Sequence, residues 1–466
     1  MPDAVAGEPP FDVVVIGGGI IGCGIARDAA LRGLKVALVE QHDFGSGTTA
    51  GSTRLIHGGL RYLATGDYSL VRMDLRERET LLRIAPHLVA PLEFVIPFFS
   101  GASLSRLQIR AGLTLYDALS YDKSLPSHRM LNAHDARALA PALNRDDVRG
   151  AAAYYDARAD LPERLALENA LDAERHGGVI RNYCAATSTL VENGVASGVH
   201  VRDHLDGDEG LVRARVIVHA TGAWAEQGIR KTKGVHAVCT PVTDRALVIF
   251  SGVDRRLMFA IPRAGQTWIG TTDTDYDGDP GDARATRGDV EYLLASVRHV
   301  FPRLSMDDVL FTTAGVRALV KQGGSASSVS RMHRIIEDSP ARGVVSVLGG
   351  KITGYRAIAE EVTDAACRRV ACCSPCTTAR TPLPAPSPQP DLLARARDAV
   401  ATEHARHVAD FIRRRTALGA TADQGWSVAT EIAAAMGVKL GWTDEQRTTE
   451  LETYRQDIEA TRAFRR

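Results

Sequence analysis

The feature that most constrains the fold lies between residues 11 and 40. A β-branched run, three spaced glycines, a helix-compatible stretch and a second apolar run ending on an acid follow one another. Phe11-Asp-Val-Val-Val-Ile16 reads as a strand of a parallel sheet, buried on both faces, because its apolar residues run on instead of alternating. Gly17, Gly19 and Gly22 follow with the spacing G-x-G-x-x-G, then Cys23 to Arg32 carries a helix to a stop at Gly33. Lys35 to Glu40 completes a βαβ unit of about thirty residues. In this setting Gly17 makes the tight turn, Gly19 lets a pyrophosphate approach the backbone, and Gly22 permits close helix–strand packing. The helix N-terminus offers N–H donors to the phosphate. Glu40, eighteen residues beyond Gly22, is placed to accept from both ribose hydroxyls, and its charge disfavours a 2′-phosphate. The unit predicts an ADP-binding site. Its rival is a glycine-rich βα turn that binds nothing.

Two further segments favour FAD over NAD. Val216-Ile-Val-His-Ala-Thr-Gly-Ala-Trp224 is an apolar strand running into Thr221 and Gly222. Ser346-Val-Leu-Gly-Gly-Lys-Ile-Thr353 is a strand giving way to two glycines and then a helix, Tyr355 to Val370. That helix N-terminus would stabilise negative charge on a reduced flavin ring. Residues 43–59 form a long loop rich in Gly, Ser and Thr, and loops of that length inside a compact domain usually serve function. Its Thr48, Ser52, Gly58 and Gly59 are expected cofactor contacts, as are Gly350, Lys351 and Thr353.

Charge excludes one broad class. Lys and Arg number 56 and Asp and Glu 56, so the chain lacks the basic excess of an electrostatic nucleic-acid binder. The longest apolar run, Val13 to Ala26, is broken by five glycines and is too short for a membrane span. No cationic stretch leads into an apolar one near the start, which predicts a cytoplasmic protein without a secretory signal. Seven cysteines in 466 residues are no disulfide framework. Cys372-Cys373-x-x-Cys376 has neither a second CxxC nor a histidine pair beside it, so no metal site is expected. Asp67 to Arg110 reads as mostly helical, interrupted near Pro86, Pro91 and Pro97. Strands are expected at Val216 to Ala220, Leu257 to Ile261, Thr267 to Thr272 and Gly343 to Leu348. Residues 380–390, with proline at alternate positions, read as an extended spacer, and 391–466 as a small helical domain.

On these residues the chain resembles the FAD-dependent glycerol-3-phosphate dehydrogenases of the aerobic, respiratory type. The resemblance spans about residues 11–380. It rests on the glycine fingerprint, Leu55-Ile-His-Gly-Gly-Leu-Arg-Tyr-Leu63, Lys233-Gly-Val-His236, Ile269-Gly-Thr-Thr-Asp-Thr-Asp275, Ala314-Gly-Val-Arg317 and Gly349-Gly-Lys-Ile-Thr353. It implies an α/β fold: a glutathione-reductase-like FAD domain (1–75, 150–228 and 308–380), an antiparallel-sheet substrate domain (76–149 and 229–307) and the helical unit 381–466. It implies oxidation of sn-glycerol 3-phosphate to dihydroxyacetone phosphate, with electrons passed to quinone at the inner face of the cell membrane. The rivals are an FAD-dependent dehydrogenase or oxidase of another polyol phosphate, and a non-catalytic flavin-fold protein.

Alcohol oxidation requires a base and a hydride acceptor near the carbinol carbon, and a phosphate requires cationic donors. By resemblance Arg61, Tyr62 and Arg331 hold the phosphate end, while Arg317 and Lys351 lie near the reacting carbon. His236 is the first choice for general base and His57 the second. Gly354 and Arg263 depart from the family pattern, where threonine and tryptophan are usual; Arg263 adds a charge that bears on substrate preference. The family's homodimer contact is not carried over, because the C-terminal part is short. Residues 97–119, with Phe98, Leu104, Leu107, Leu113 and Leu115 among Arg106 and Arg110, read equally as a membrane-contacting face or an ordinary core.

Overall fold

The computed structural model describes residues 10–64, 66–100, 105–143, 145–321, 332–386, 389 and 391–466. Two sheets organise them. The first carries, in spatial order, Arg334–Glu337, Val344–Leu348, Glu209–His219, Phe11–Ile16, Val36–Val39 and Val179–Arg181. From Val344–Leu348 onward these strands run parallel, and Arg334–Glu337 closes the edge antiparallel. The carboxyl ends of the parallel strands therefore open on one side, where such sheets bind ligands.

Helix Ile20–Leu31 begins at Gly19 and gives way to Gly33, whose φ of +83° suits a residue without a side chain. It packs between helices Pro162–Arg175 and Tyr355–Val370. Small residues make this approach close: a Cβ on Gly24 would stand 2.9 Å from the Tyr355 ring. Within that layer Arg27 donates to Asp172 at 2.7 Å and to the carbonyls of Thr381 and Pro382. The start of the proline-rich segment is thus tied down, and Leu383 N–H donates to the Ile84 carbonyl at 2.7 Å. The expected spacer is docked onto the first unit through residues 381–383.

The second sheet is mostly antiparallel and has ten described strands, running Thr274–Asp275, Ile229–Cys239, Gln266–Gly270, Leu257–Arg263, Ala246–Phe250, Val89–Phe99, Val148–Ala159 and Leu55–Ile56. Val309–Val320 pairs with Ile229–Cys239, and Arg129–Leu131 with Val148–Ala159. Residues 55–56, 150–159 and 309–320 fell within the expected FAD domain, yet their ladder partners lie in this sheet. In the stretch 67–110, read as mostly helical with interruptions near Pro86, Pro91 and Pro97, the first helix ends at Ile84, just before Pro86. Val89–Phe99 is a strand instead, since Pro91 and Pro97 cannot continue a helix. Phe98, expected on a membrane-contacting face, is buried in the core of this sheet, and so is Leu113 of helix Arg106–Leu119. On that helix Leu107 and Leu115 remain exposed beside Arg106 and Arg110. Leu104 lies outside the described residues. No helix of the described residues is long and apolar enough to cross a membrane.

Helices Leu392–Thr402, Ala429–Leu440 and Asp444–Ala460 build a third core. Asp43, at the start of the glycine-rich loop, accepts from Arg414 and Arg415. Those two guanidinium groups hold its carboxyl well below the usual range despite burial. At the other end Thr312 N–H donates to the Thr461 carbonyl and Phe464 enters the second sheet's core.

Arg27 is fully buried, so removing its carboxylate strands a charge. Asp172→Ala is expected to cost about 3–5 kcal/mol in urea unfolding, and Arg27→Met added to it should recover part of that loss.

Candidate active site

A cavity of about 1080 Å³ opens at the carboxyl ends of the parallel strands and runs to the face of the second sheet. One end is the glycine turn. Gly17 has φ +107°, and a Cβ on Gly22 would stand 1.9 Å from the Gly17 carbonyl oxygen. A Cβ on Gly19 would meet nothing nearer than Thr49 Oγ1 at 3.7 Å, so this glycine keeps the cavity floor open where a pyrophosphate must approach. Glu40 lines the same end and accepts from Gly18 N–H at 2.6 Å and His42 N–H at 2.8 Å. Gly22 lies off the cavity wall; its task is packing. The donor set, the open floor and the acid fit an ADP moiety.

The glycine-rich loop is pressed onto the second sheet. A Cβ on Gly51 would stand 2.5 Å from the Gly315 Cα, and Thr48 Oγ1 donates to the Val316 carbonyl at 2.6 Å. This contact, which the sequence reading missed, brings Ser52, Thr53 and His57 to the cavity wall facing Arg317. Thr221, Gly222, Gly350 and Thr353 line it too. Thr353 Oγ1 accepts from His57 N–H at 3.1 Å and donates to the His57 carbonyl at 3.2 Å, joining two distant family motifs. Gly58 sits behind the wall: its N–H donates to Tyr116 Oη at 2.9 Å, and that hydroxyl donates to Asp156. Gly59, with φ +76°, lies under the Tyr62 ring, where a Cβ would come within 2.4 Å.

Two cations are fixed at the sheet-facing end. Arg317 donates to Thr271 Oγ1 at 2.9 Å and the Thr272 carbonyl at 3.2 Å, and pairs with Asp273 at 3.3 Å. A Cβ on Gly234 would fall 2.2 Å from its guanidinium, so the Lys233-Gly-Val-His236 motif makes room for it. Lys351 donates to the buried Asp74 and lies 4.3 Å from the Tyr62 ring centre. Asp74 and Arg256, which pairs with Asp273 at 3.7 Å, were not singled out in the sequence. Asp74, one of three acids inside helix Tyr68–Ile84, carries no local signal of a partner 277 residues away. The Arg61 side chain and Arg331 lie outside the described residues.

His236 differs from expectation, since its ring does not line the large cavity. It faces a small chamber with Thr53, Arg54, Arg263 and Trp268. Burial, then the charges of Arg317, Arg54 and Arg263, push its pKa down to about 3, so the imidazole is neutral. Arg263 belongs to this chamber as well. It donates to the Asp160 carbonyl at 2.5 Å and lies 4.5 Å from the Trp268 ring centre, so its charge stands outside the large cavity.

Burial raises the Asp74 carboxyl to about 7 against the opposing pull of Lys351. A folded-state value above the unfolded one means that the native state holds the extra proton between about pH 4 and 7, so stability falls as pH rises through that window. Asp74→Asn is expected to flatten this decline in melting temperature, measured from pH 4 to 8 against the parent; an unchanged slope would show that Asp74 titrates normally.

A family model described as FAD dependent oxidoreductase matches residues 12–365, and one described as the C-terminal domain of alpha-glycerophosphate oxidase matches residues 358–447. The glycerol-3-phosphate dehydrogenase of Synechocystis is 36% identical, with 96% of each chain covered. That of Mycobacterium leprae is 35% identical over 97% of this chain and 89% of its own. Among solved structures, the glycerol-3-phosphate dehydrogenase of Bacillus halodurans complexed with FAD superposes with a TM-score of 0.76 at 27% identity, covering 97% of this chain and 95% of that one. Its fold, its glycine-cradled cavity and these relatives place the chain in the FAD-dependent glycerol-3-phosphate dehydrogenase family.

Proposed function

We propose that this chain oxidises sn-glycerol 3-phosphate at C2 to dihydroxyacetone phosphate and that the electrons pass on to quinone. One observation carries the reading: the dinucleotide cradle and the fixed cations Arg317 and Lys351 share a single cavity. A cavity meant only to hold a cofactor has no need of both. When bound, FAD supplies the two-electron acceptor for hydride.

The chain's own residues do the rest. Gly17, Gly19 and Glu40 take the ADP end, with Thr48, Ser52, Thr221, Gly222, Gly350 and Thr353 along the remainder. Arg61, Tyr62 and Arg331 take the phosphate of the substrate, where forked guanidinium donors suit phosphate oxygens. Arg317 and Lys351 face the carbinol. Each is tethered to a carboxylate, Asp273 or Asp74, so little is spent on ordering them when substrate arrives. Two imidazoles are candidates for the hydroxyl proton, His57 on the wall and the neutral His236 behind it. Arg263 stands outside the cavity and so adds no charge where the substrate would bind.

Anaerobic addition of sn-glycerol 3-phosphate should bleach the yellow holoenzyme. Arg317→Ala should lower kcat/KM by about a hundredfold or more while flavin stays bound. A holoenzyme left yellow by glycerol 3-phosphate but bleached by another polyol phosphate would shift the substrate, and one bleached by neither would remove the enzyme reading.

Transfer to quinone calls for a membrane contact, and Leu107 and Leu115 on helix Arg106–Leu119 offer an exposed apolar strip beside two arginines. Leu107→Gln with Leu115→Gln should reduce co-flotation with anionic liposomes severalfold. Equal flotation would place any membrane contact elsewhere.

A further inference from the structure

His236 cannot reach a ligand in the large cavity directly. It lies in strand Ile229–Cys239, where the ladder sets Gly270 opposite it on one side and Thr313 on the other. The glycine makes room for the ring, since a Cβ there would come within 2.2 Å of His236 Cδ2. Thr313 places its hydroxyl 3.5 Å from Nδ1. Nε2 points the other way, to Thr53 Oγ1 at 3.1 Å. Thr53 lines both the large cavity and the small chamber that holds the imidazole, and it belongs to the loop that the Gly51–Gly315 contact seats against the second sheet.

We propose that Thr53 is a catalytic proton relay between the substrate hydroxyl and His236. This rests on the reading that a secondary alcohol is oxidised in the large cavity. In the resting state Nδ1–H donates to Thr313, and Nε2 carries a lone pair that accepts from the Thr53 hydroxyl. As the hydrogen on the carbinol carbon leaves with its electron pair for FAD, the alcohol O–H proton passes to Thr53 Oγ1 and the Thr53 proton passes to Nε2. The O–H bonding pair becomes the new C=O bond, Thr53 is regenerated, and His236 ends as imidazolium. A hydroxyl is suited to this task because it donates and accepts at one atom. The guanidinium groups of Arg317, Arg54 and Arg263 face the ring and oppose that positive charge, so the proton is held only while the substrate's negative charge lies nearby and returns to solvent after release.

The test pairs Thr53→Val, which keeps shape and removes the hydroxyl, with Thr53→Ser, which keeps the hydroxyl. In the FAD holoenzyme, the first-order rate of anaerobic flavin bleaching by sn-glycerol 3-phosphate should fall about a hundredfold in Thr53→Val. It should stay within severalfold of wild type in Thr53→Ser, and the half-saturating substrate concentration should change little in both. The second readout needs no turnover: nitrogen-15 spectra of wild-type holoenzyme should show His236 protonated at Nδ1 and bare at Nε2. Bleaching of Thr53→Val at the wild-type rate would overturn the relay and leave the oxidation reading intact. An Nε2–H tautomer in wild type would overturn it even if Thr53→Val failed to fold. A wild type that glycerol 3-phosphate does not bleach would overturn both.

Discussion

Two glycines touching backbone to backbone set the layout of this protein. Gly51 belongs to the loop that leaves the parallel sheet, and Gly315 to a long strand of the antiparallel sheet. A methyl group on either would force the two apart by about an ångström, because interiors packed like crystals have no slack to absorb it. Two residues beyond Gly51 stands Thr53, and two beyond Gly315 stands Arg317. Both line one cavity, Arg317 because the strand's period of two sets it on the same face as Gly315. The contact therefore fixes the separation between what the nucleotide side contributes and what the sheet side contributes.

Electrostatics completes the layout by holding cations in place before any ligand arrives. Lys351 is tied to Asp74, Arg317 and Arg256 share Asp273, and the glycine-rich loop is anchored at its start by Asp43 with Arg414 and Arg415. A buried charge is costly without a partner, so each of these carboxylates is part of the site even where it touches nothing in the cavity. The same logic keeps His236 neutral: three arginines around a buried ring favour the uncharged form, and an uncharged ring can accept a proton.

The nucleotide half was legible in the sequence because its signals are local. The spacing of Gly17, Gly19 and Gly22, the acid at 40 and the strand–Gly–Gly–helix at 346–355 are each consequences of one turn. Helix Tyr355–Val370 is found with the ends read from sequence. What escaped is non-local. Val89–Phe99 was hidden inside a stretch that reads as helical, because its strand character comes from partners at 148–159 and 246–247. Asp74 gave no sign of Lys351, nor Gly51 of Gly315. His236 was read as the first choice for general base, but its position behind Thr53 follows from ladder register, and no motif encodes register. The expected membrane face was half core, since Leu113 and Leu115 stand two residues, about half a helix turn, apart and look to opposite sides.

The central claim is that one cavity holds both the flavin cofactor and a phosphorylated alcohol. A crystal structure of the holoenzyme with a non-oxidisable phosphate-bearing analogue of the substrate would test it most directly. The analogue's phosphate is expected beside Tyr62 with its carbinol end toward Arg317 and Lys351, in the cavity that also contains FAD. Density for the analogue on the outer surface, with FAD alone filling the cavity up to Arg317, would contradict it.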